Sequence, residues 1–105
     1  MSHASTFVVV WEFLVRAGSE VQFEEMYGSK GAWVELFRAS PSFIRTDLQR
    51  DLSQRNRYWT LDVWRSEGAY NEFRIAHQEE YQRIDAKCER FTETERELGR
   101  FEGIG

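Results

Sequence analysis

The stretch Arg57–Phe73, RYWTLDVWRSEGAYNEF, decides the fold because it joins an alternating aromatic and aliphatic segment to a helix start. Residues two apart in a strand share a face, so Trp59, Leu61 and Val63 form a uniformly apolar set that predicts a buried layer. The alternate set is mixed and places Asp62 between aromatic side chains, which is typical of a surface that faces a cavity or a partner. This stretch therefore predicts a central strand followed by a packed helix.

The bulk composition predicts one folded domain over residues 1–105, with residues 1–5 as a tail. Hydrophobic residues make up 41% and aromatic residues 15% of the chain, which argues against disorder. So many large rings exceed what a small monomer readily buries. The excess favours a homodimer interface or a ligand cavity.

The charge pattern excludes several function classes. The net charge is −4, and the arginines are interleaved with acids, so no basic patch for nucleic acid is expected. No apolar run is long enough for a membrane span, and the start MSHASTF does not resemble a signal peptide. The single cysteine, Cys88, cannot form an internal disulfide, which favours a cytoplasmic location.

The first half of the chain predicts a strand, a broken helix and a stop. Thr6–Arg16 is rich in β-branched and aromatic residues and apolar on both faces, which indicates a central strand. Glu20–Ser40 is helical in composition, but Gly28–Gly31 interrupts it and leaves a second short helix at Ala32–Ala39. Ser40-Pro41-Ser42 ends this helical region.

The second half predicts a hairpin and a long helix. Phe43–Leu52 alternates as a half-exposed strand, and the short polar link before Arg57–Trp64 predicts that the two pair as a hairpin. Ser66 caps the following helix, which is expected to continue to about Arg90.

The segment after this helix has two interpretations. The pattern Thr92-x-x-Glu95 fits a capping box and predicts a helical turn up to Gly99, followed by a short strand near Arg100–Ile104. Alternatively, Phe91–Leu98 is itself a strand. With either ending the element order is β, broken α, β, β, α, β, which predicts a ferredoxin-like α+β fold: an antiparallel sheet with helices on one face.

Several motifs spread over residues 7–101 resemble the antibiotic biosynthesis monooxygenase-like family of dimeric α/β barrels. They are the VVVWEFLV strand, Gly31-Ala32-Trp33 with Leu36-Phe37-Arg38, Pro41-x-Phe43-Ile44-x-Thr46-x-Leu48, and Trp64-x-Ser66 with Phe73. The later Tyr81-x-x-Ile84-Asp85, Thr92-x-x-Glu95 and Leu98-Gly99 resemble one branch of small proteins in that family.

The resemblance implies a homodimer whose two sheets meet face to face, with a pocket in each protomer between sheet and helices. In this arrangement the Trp59 face would pack under the helices, and the face with Asp62 and Trp64 would look between the protomers. If the pocket instead lies under the helices, Trp59, Phe73 and His77 would line it and Asp62 would be an interface residue.

The family includes cofactor-independent oxygenases of aromatic polyketides and quinols, haem-degrading enzymes, isomerases, and proteins without known activity. The first strand lacks the Asn of the haem-degrading branch, and His77 falls about one turn beyond the usual histidine. Haem degradation is therefore not expected, and no cofactor is predicted.

Asp62 and Glu12 are the first candidates for catalysis. If the first and third strands were parallel neighbours, both carboxylates would share the mixed face, and burial would raise the pKa of one to make a general base. The commoner alternative is that each carboxylate pairs with an arginine such as Arg45, Arg50 or Arg57.

His77 is the other candidate base, because it is the only histidine in the folded part and lies on the apolar stripe of the long helix. The alternative is a pocket-wall histidine bonded to a backbone carbonyl or to Tyr81. No second histidine or acidic cluster has ligand spacing, so no metal is predicted.

A set of aromatic residues could form the wall of a pocket for a flat organic molecule, although each could equally be ordinary core. They are Trp33, Trp59, Trp64, Tyr70, Phe73 and Tyr81. The sequence thus predicts a protein that binds a small apolar or aromatic, quinol-like molecule, with cofactor-independent monooxygenation as the enzymatic form. The alternatives are a non-catalytic ligand-binding or interaction module of the same fold, and an isomerase or decarboxylase that uses the same base.

Overall fold

The computed structural model describes residues 5–104, which contain four strands, four helices and one short 3₁₀ turn. In chain order they are β1 (Thr6–Val15), α1 (Glu20–Tyr27), α2 (Ala32–Phe37), β2 (Phe43–Arg50), β3 (Arg57–Trp64), α3 (Glu67–Ala76), α4 (Gln78–Cys88), the 3₁₀ turn (Glu89–Phe91) and β4 (Thr92–Gly103). This order confirms the predicted ferredoxin-like α+β fold. Most of the predicted tail, with His3, lies outside the described residues.

The strands form one antiparallel sheet in the order β2-β3-β1-β4, so the two most apolar strands are the central neighbours, as predicted. The two strands run antiparallel, as the predicted antiparallel sheet requires, with Val9 opposite Asp62 and Glu12 opposite Trp59, so the condition under which Glu12 and Asp62 would share a face is not met. Paired residues share a face, and side chains alternate along β1. Glu12 and Asp62 therefore lie on opposite faces of the sheet.

The helices cover the face of the sheet that carries Phe13, Tyr58 and Trp64. Ring centroids are 4.8 Å apart for Phe13 and Tyr27 of α1, and 5.4 Å apart for Trp64 and Phe37 of α2. The expected assignment of the faces is therefore reversed: the mixed face of β3 lies under the helices. Strand parity groups residues by face but does not say which group is covered. Here the large rings of the mixed set fill the space beneath the helices.

The opposite face, called the open face below, carries the aliphatic set. Val10 is paired with Leu61, and Val8 with Val63 on one side and Phe101 on the other. Phe101 is 54% exposed, which is unusual for a phenylalanine in a sheet. The open face is thus an apolar surface on the side of the sheet away from the helices.

The end of β3 anchors the aromatic core. Trp64 has no exposed surface, and its ring lies within 5.4 Å of four others, those of Phe37, Phe43, Tyr70 and Phe73. The Ser66 hydroxyl then accepts a hydrogen bond of 3.1 Å from the backbone N–H of Ala69, which confirms the predicted cap of α3. The cap fixes where the chain leaves the sheet and turns back over it.

Two predictions for the last third of the chain are wrong. The helix expected to reach Arg90 without interruption is broken at His77, which ends α3 and precedes α4 with a non-helical backbone. The predicted helical turn after Thr92 does not form, and the alternative strand is confirmed, since β4 pairs with β1 along its length. The exposed backbone groups of β1 require a pairing partner, and this requirement overrides the local capping signal.

Candidate functional site

A cavity lies between the covered face of the sheet and helices α1, α2 and α4. Its walls consist of six aromatic residues, two threonines and two acids: Trp11, Phe13, Tyr27, Trp33, Phe37, Tyr81, Thr46, Thr60, Asp62 and Glu95. The empty volume is about 340 Å³ including the opening to solvent, but only about 20 Å³ admits the centre of a water molecule. This space holds about one water, so an aromatic ligand enters only if lining side chains move apart.

The cavity wall carries no lysine, arginine or histidine among the described residues. The nearby guanidinium of Arg74 lies 3.8 Å from the Tyr81 ring centroid and donates to the Tyr70 hydroxyl at 2.7 Å, so it is engaged outside the wall. Any charge in the cavity is therefore negative and comes from Asp62 or Glu95. Such a wall disfavours ligands that are anionic when they enter.

Asp62 projects from β3 into the cavity and is only 7% exposed. Thr46 lies opposite it on β2, and the Thr46 hydroxyl donates a hydrogen bond of 2.8 Å to Oδ1. Within residues 5–104 no cation lies at ion-pair distance, so the expected pairing with arginine does not form. Burial raises the pKa of Asp62 from 3.8 to about 7, and the Thr46 hydrogen bond offsets part of that rise.

Glu12 is buried on the open face, away from the cavity, and here the predicted arginine pairing is correct. Arg57 Nε donates to Oε2 at 2.7 Å, and Arg96 Nε donates to Oε1 at 2.8 Å. Arg57 also bonds Asp51 at 2.9 Å. The hydrogen bonds from Arg96 and Arg57 lower the pKa of Glu12, so this carboxylate is a poor proton acceptor at neutral pH.

His77 lies at the junction of α3 and α4 and is not part of the cavity wall. Its ring stacks on Phe73 with centroids 4.8 Å apart, and Nδ1 lies 3.0 Å from Oε2 of Glu80. The expected partners, a backbone carbonyl or Tyr81, are replaced by this carboxylate. Glu80 lies three residues after His77, so helical spacing alone could have predicted this contact.

The predicted aromatic wall divides into three groups. Trp33 and Tyr81 line the cavity, and their rings meet edge to face with centroids 4.7 Å apart. Trp64, Tyr70 and Phe73 belong to the aromatic core around the end of β3, outside the cavity wall. The third group is Trp59, which lies on the open face opposite Glu12.

Seven residues of the cavity wall were not predicted: Trp11, Phe13, Tyr27, Phe37, Thr46, Thr60 and Glu95. Thr60 shares a strand face with Asp62, and Thr46 follows from the predicted hairpin, so parity and register could have identified both. Tyr27 and Phe37 required knowledge of how α1 and α2 cross the sheet. Glu95 required the correct strand assignment of β4.

Glu95 gives the cavity a second acid, at the β4 side of the sheet, where it pairs in register with Phe13. Although the residue is exposed overall, partial burial of its carboxyl group and the nearby charges of Asp85 and Glu89 raise the pKa of Glu95 to about 7. The wall thus carries two carboxyl groups whose protonation changes near neutral pH.

Two donors in the cavity wall have no hydrogen-bond partner within the described part of the chain. They are the Tyr27 hydroxyl and the Trp33 indole N–H, on residues that are 5% and 6% exposed. Burial raises the pKa of Tyr27 well above its ordinary value, so the hydroxyl keeps its proton.

Residues 5–104 provide neither a metal site nor a membrane-spanning helix. No group of three histidine, cysteine, aspartate or glutamate side chains lies close enough to hold a metal ion there. None of the four helices combines the length and the apolar character needed to cross a membrane.

Comparisons with known proteins agree on the fold. The family model for antibiotic biosynthesis monooxygenase matches residues 6–87. SnoaB from Streptomyces nogalater, described as a cofactor-independent oxygenase, superimposes with a TM-score of 0.76 at 20% identity, over 97% of this chain and 96% of that chain. No curated protein matches the sequence.

Two further solved structures show the same architecture. PA3566 from Pseudomonas aeruginosa has a TM-score of 0.70 at 16% identity, over 99% of this chain and 100% of that chain. A conserved protein from Methanosarcina mazei also has a TM-score of 0.70, at 13% identity, over 94% of this chain and 91% of that chain. At such low identities, the likeness shows the fold alone.

Proposed function

Because the chain belongs to the antibiotic biosynthesis monooxygenase family and carries a buried, unpaired carboxyl group in its cavity, we propose that it oxygenates a small, flat phenol, quinol or anthrone without a cofactor. Asp62 is the general base in this proposal. The sequence left three candidate bases. Glu12 is held by two arginines on the other face, and His77 is outside the cavity wall, which leaves Asp62.

The observation that carries the proposal is the environment of Asp62. An isolated carboxyl group in an apolar wall is costly to bury, and structural carboxylates normally gain a cation or several donors. Among residues 5–104, Asp62 has only the Thr46 hydroxyl as a hydrogen-bond donor. The resulting pKa near neutrality is suited to a group that accepts and returns a proton at physiological pH.

The reaction is balanced with molecular oxygen as the oxidant. Asp62 takes a proton from the ring CH₂ of an anthrone, and the resulting anion passes one electron to O₂. The substrate radical and superoxide combine to form a C–O bond, and Asp62 returns its proton to give a hydroperoxide. Loss of water, with the second C–H proton leaving on the hydroxide, breaks the O–O bond and leaves a C=O group. One oxygen atom enters the product and the other enters water.

The aromatic walls serve this chemistry by holding a planar ring and excluding water. Trp33 and Tyr81 lie edge to face in the wall, so small rotations of these rings would widen it. In its present state the cavity has space for water or O₂ but not for a ring. Ligand entry in this proposal therefore requires side-chain rearrangement, which occurs commonly in binding sites.

We also propose that the protein is a homodimer, with the open faces of two sheets packed against each other, and that it is cytoplasmic. The apolar surface formed by Val8, Leu61 and Phe101, which are half-buried or exposed, supports the interface, since an apolar surface of this kind is typical of a protein contact. A single free and buried cysteine, Cys88, supports a reducing compartment.

The test of the oxygenase is oxygen uptake with anthrone and hydroquinones, compared between wild type and Asp62→Asn. Asparagine keeps the shape and an acceptor for Thr46 but cannot take the proton, so kcat/KM should fall by about 10²- to 10⁴-fold. In the wild type, kcat/KM should rise about tenfold per pH unit up to about pH 7 and then level off, because the base must be ionised.

Asp47→Asn is the matched control, because it makes the same chemical change one residue from Thr46, where Asp47 forms an exposed ion pair with Arg45. Full activity is expected from this variant. Undiminished oxygen uptake by Asp62→Asn would refute Asp62 as the base.

A non-catalytic binding module is the second candidate, and the small size of the cavity favours it. A space of about 20 Å³ does not hold a substrate in position for reaction until the walls separate. Binding of the same flat compounds without oxygen consumption at any pH between about 5 and 9 would support this alternative.

A further inference from the structure

The Tyr27 hydroxyl and the Trp33 N–H are buried in one wall of the cavity without partners. Their ring centroids are 5.9 Å apart, and the planes are inclined at 40°. The Trp33 N–H lies near the Tyr27 hydroxyl, and both lie near the Cys88 thiol, but none of these contacts within residues 5–104 has full hydrogen-bonding geometry. A thiol is in any case a weak acceptor. Among the described residues, the fold therefore offers the two donors only poor acceptors.

The break between α1 and α2 places these two donors together. Tyr27 is the last residue of α1, and Trp33 is the second residue of α2. Gly31 lies so close to the end of α1 that a Cβ atom there would be 2.3 Å from the carbonyl oxygen of Met26. Only glycine allows this approach, so the tight turn brings the first turn of α2 against the end of α1.

Leaving a donor buried without a partner costs about 1–3 kcal/mol, and folded proteins leave few such groups. The described residues contain two other unpaired indole N–H groups, those of Trp59 and Trp64, but neither lines the cavity. Tyr27 and Trp33 differ from them because both residues line the cavity, so a ligand that separates the walls can reach their donor atoms.

We propose that the Tyr27 hydroxyl and the Trp33 N–H form a two-donor subsite for one acceptor oxygen of the ligand. The oxygen is the carbonyl or phenol oxygen that becomes an enolate or phenolate when the base removes a proton. This inference rests on the proposed function, because the base defines which oxygen gains charge. It adds which donors recognise the flat ring system and which of its atoms, the carbonyl or phenol oxygen, they bind.

The lack of a cation in the described cavity wall supports a role for the neutral Tyr27 and Trp33 donors in stabilising the ligand oxygen. No cation lines the wall among the described residues; its titratable groups are two carboxyl groups and two tyrosine hydroxyls, so nothing in the wall is positive. An oxygen that gains negative charge in a water-excluded site is stabilised strongly by fixed donors, and one such donor contributes about 10²- to 10³-fold to the rate in a well-studied hydrolase.

The test compares anthrone with 9,10-dihydroanthracene, which has the same three rings but no oxygen. Binding to wild type, Tyr27→Phe and Trp33→Phe is measured by tryptophan fluorescence without oxygen. Each variant should bind anthrone about 3- to 10-fold more weakly and dihydroanthracene unchanged, because one net hydrogen bond is lost. Oxygen uptake with anthrone should fall by about 10²-fold in each variant.

Tyr58→Phe is the matched control, since the Tyr58 hydroxyl bonds Glu24 and Arg50 outside the cavity. In this variant, the ratio of the affinity for anthrone to the affinity for dihydroanthracene should stay at the wild-type value. If Tyr27→Phe and Trp33→Phe lost equal affinity for anthrone and for dihydroanthracene, the two donors would have a purely structural role. If neither compound lost affinity in these variants, the donors would bind only water. Each result overturns the subsite, as does failure of anthrone to bind wild type.

Different experimental results would contradict the proposed subsite and the proposed oxygenase activity. A changed affinity ratio without oxygen uptake by the wild type would support the subsite and contradict the oxygenase. Oxygen uptake that depends on Asp62, with an unchanged affinity ratio and undiminished activity in both donor variants, would support the oxygenase and overturn the subsite.

Discussion

Each face of the sheet buries one carboxyl group, and the two groups lie on neighbouring strands. Their pKa values are shifted in opposite directions. On the open face, Glu12 receives hydrogen bonds from Arg57 and Arg96, and its pKa is lowered. On the covered face, Asp62 has only Thr46, and its pKa is raised to about 7. The difference teaches that burial alone does not mark a reactive acid; the absence of a compensating cation does.

The reason for the difference lies in what each face can reach. The rim of the open face carries long charged side chains from β3 and β4, whose ends can extend over Glu12 while they remain in contact with water. The covered face lies under helices whose inner surfaces are aromatic, so a charged side chain there would have to be buried itself. Asp62 is therefore left with a neutral partner.

The largest expected effect is on stability as a function of pH. Because the folded-state pKa of Asp62 is above its ordinary value, the folded state prefers the protonated acid. The wild type should lose stability as pH rises from about 4 to 7, whereas Asp62→Asn cannot ionise. The variant should thus be more stable above pH 7, by up to roughly 4 kcal/mol, with no advantage near pH 4.

Urea unfolding of both proteins across this pH range measures the difference, and Asp47→Asn serves as the control without a pH-dependent gain. A stability difference between Asp62→Asn and wild type that is the same at every pH would contradict the raised pKa.

The second largest effect is expected on dimer association through the open face. Leu61→Glu places a charge at the centre of the proposed dimer contact, opposite Val10, and should weaken association by at least about tenfold. Light scattering should show twice the chain mass for wild type and the chain mass for the variant. Ile75→Glu makes a similar change at an exposed position of α3 and should remain dimeric. A monomeric wild type would contradict the proposed dimer.

The smallest effect is expected at Glu12, with a sign opposite to that at Asp62. The folded-state pKa of Glu12 is lowered, so the carboxylate contributes stability above its ordinary pKa of 4.5, and the contribution is lost as pH falls through the lower folded value. Glu12→Gln should lower the melting temperature at pH 7, and this difference from wild type should shrink as pH falls below 4.5. Oxygen uptake should not change, because Glu12 faces away from the cavity. A variant that is more stable than wild type at pH 7 would contradict the assignment.

The sequence was sufficient for the arrangement of the sheet and its antiparallel direction but not for the role of its faces. Alternation in Thr6–Arg16 and Arg57–Trp64 identified the central strands, and the short link before β3 identified the hairpin. The same alternation grouped Thr60 with Asp62. It did not show that this group lies under the helices, because both groups are apolar enough to be covered.

The site was predicted in part for the same reason. Asp62, Trp33 and Tyr81 line the cavity, whereas Glu12, His77 and Trp59 do not. The misplaced residues depend on tertiary geometry: the register of β1 with β3 for Glu12, the choice of the covered face for Trp59, and the junction of α3 with α4 for His77.

By itself, the sequence determined which residues share a strand face, where α3 begins and which family the motifs resemble, because these depend on local spacing and residue type. Only the tertiary structure decided which face is covered, that β4 pairs along β1, and which buried groups lack partners. A carboxyl group without a cation, like two donors without an acceptor, is defined by everything that packs around it. That set is assembled from all four strands and three of the helices.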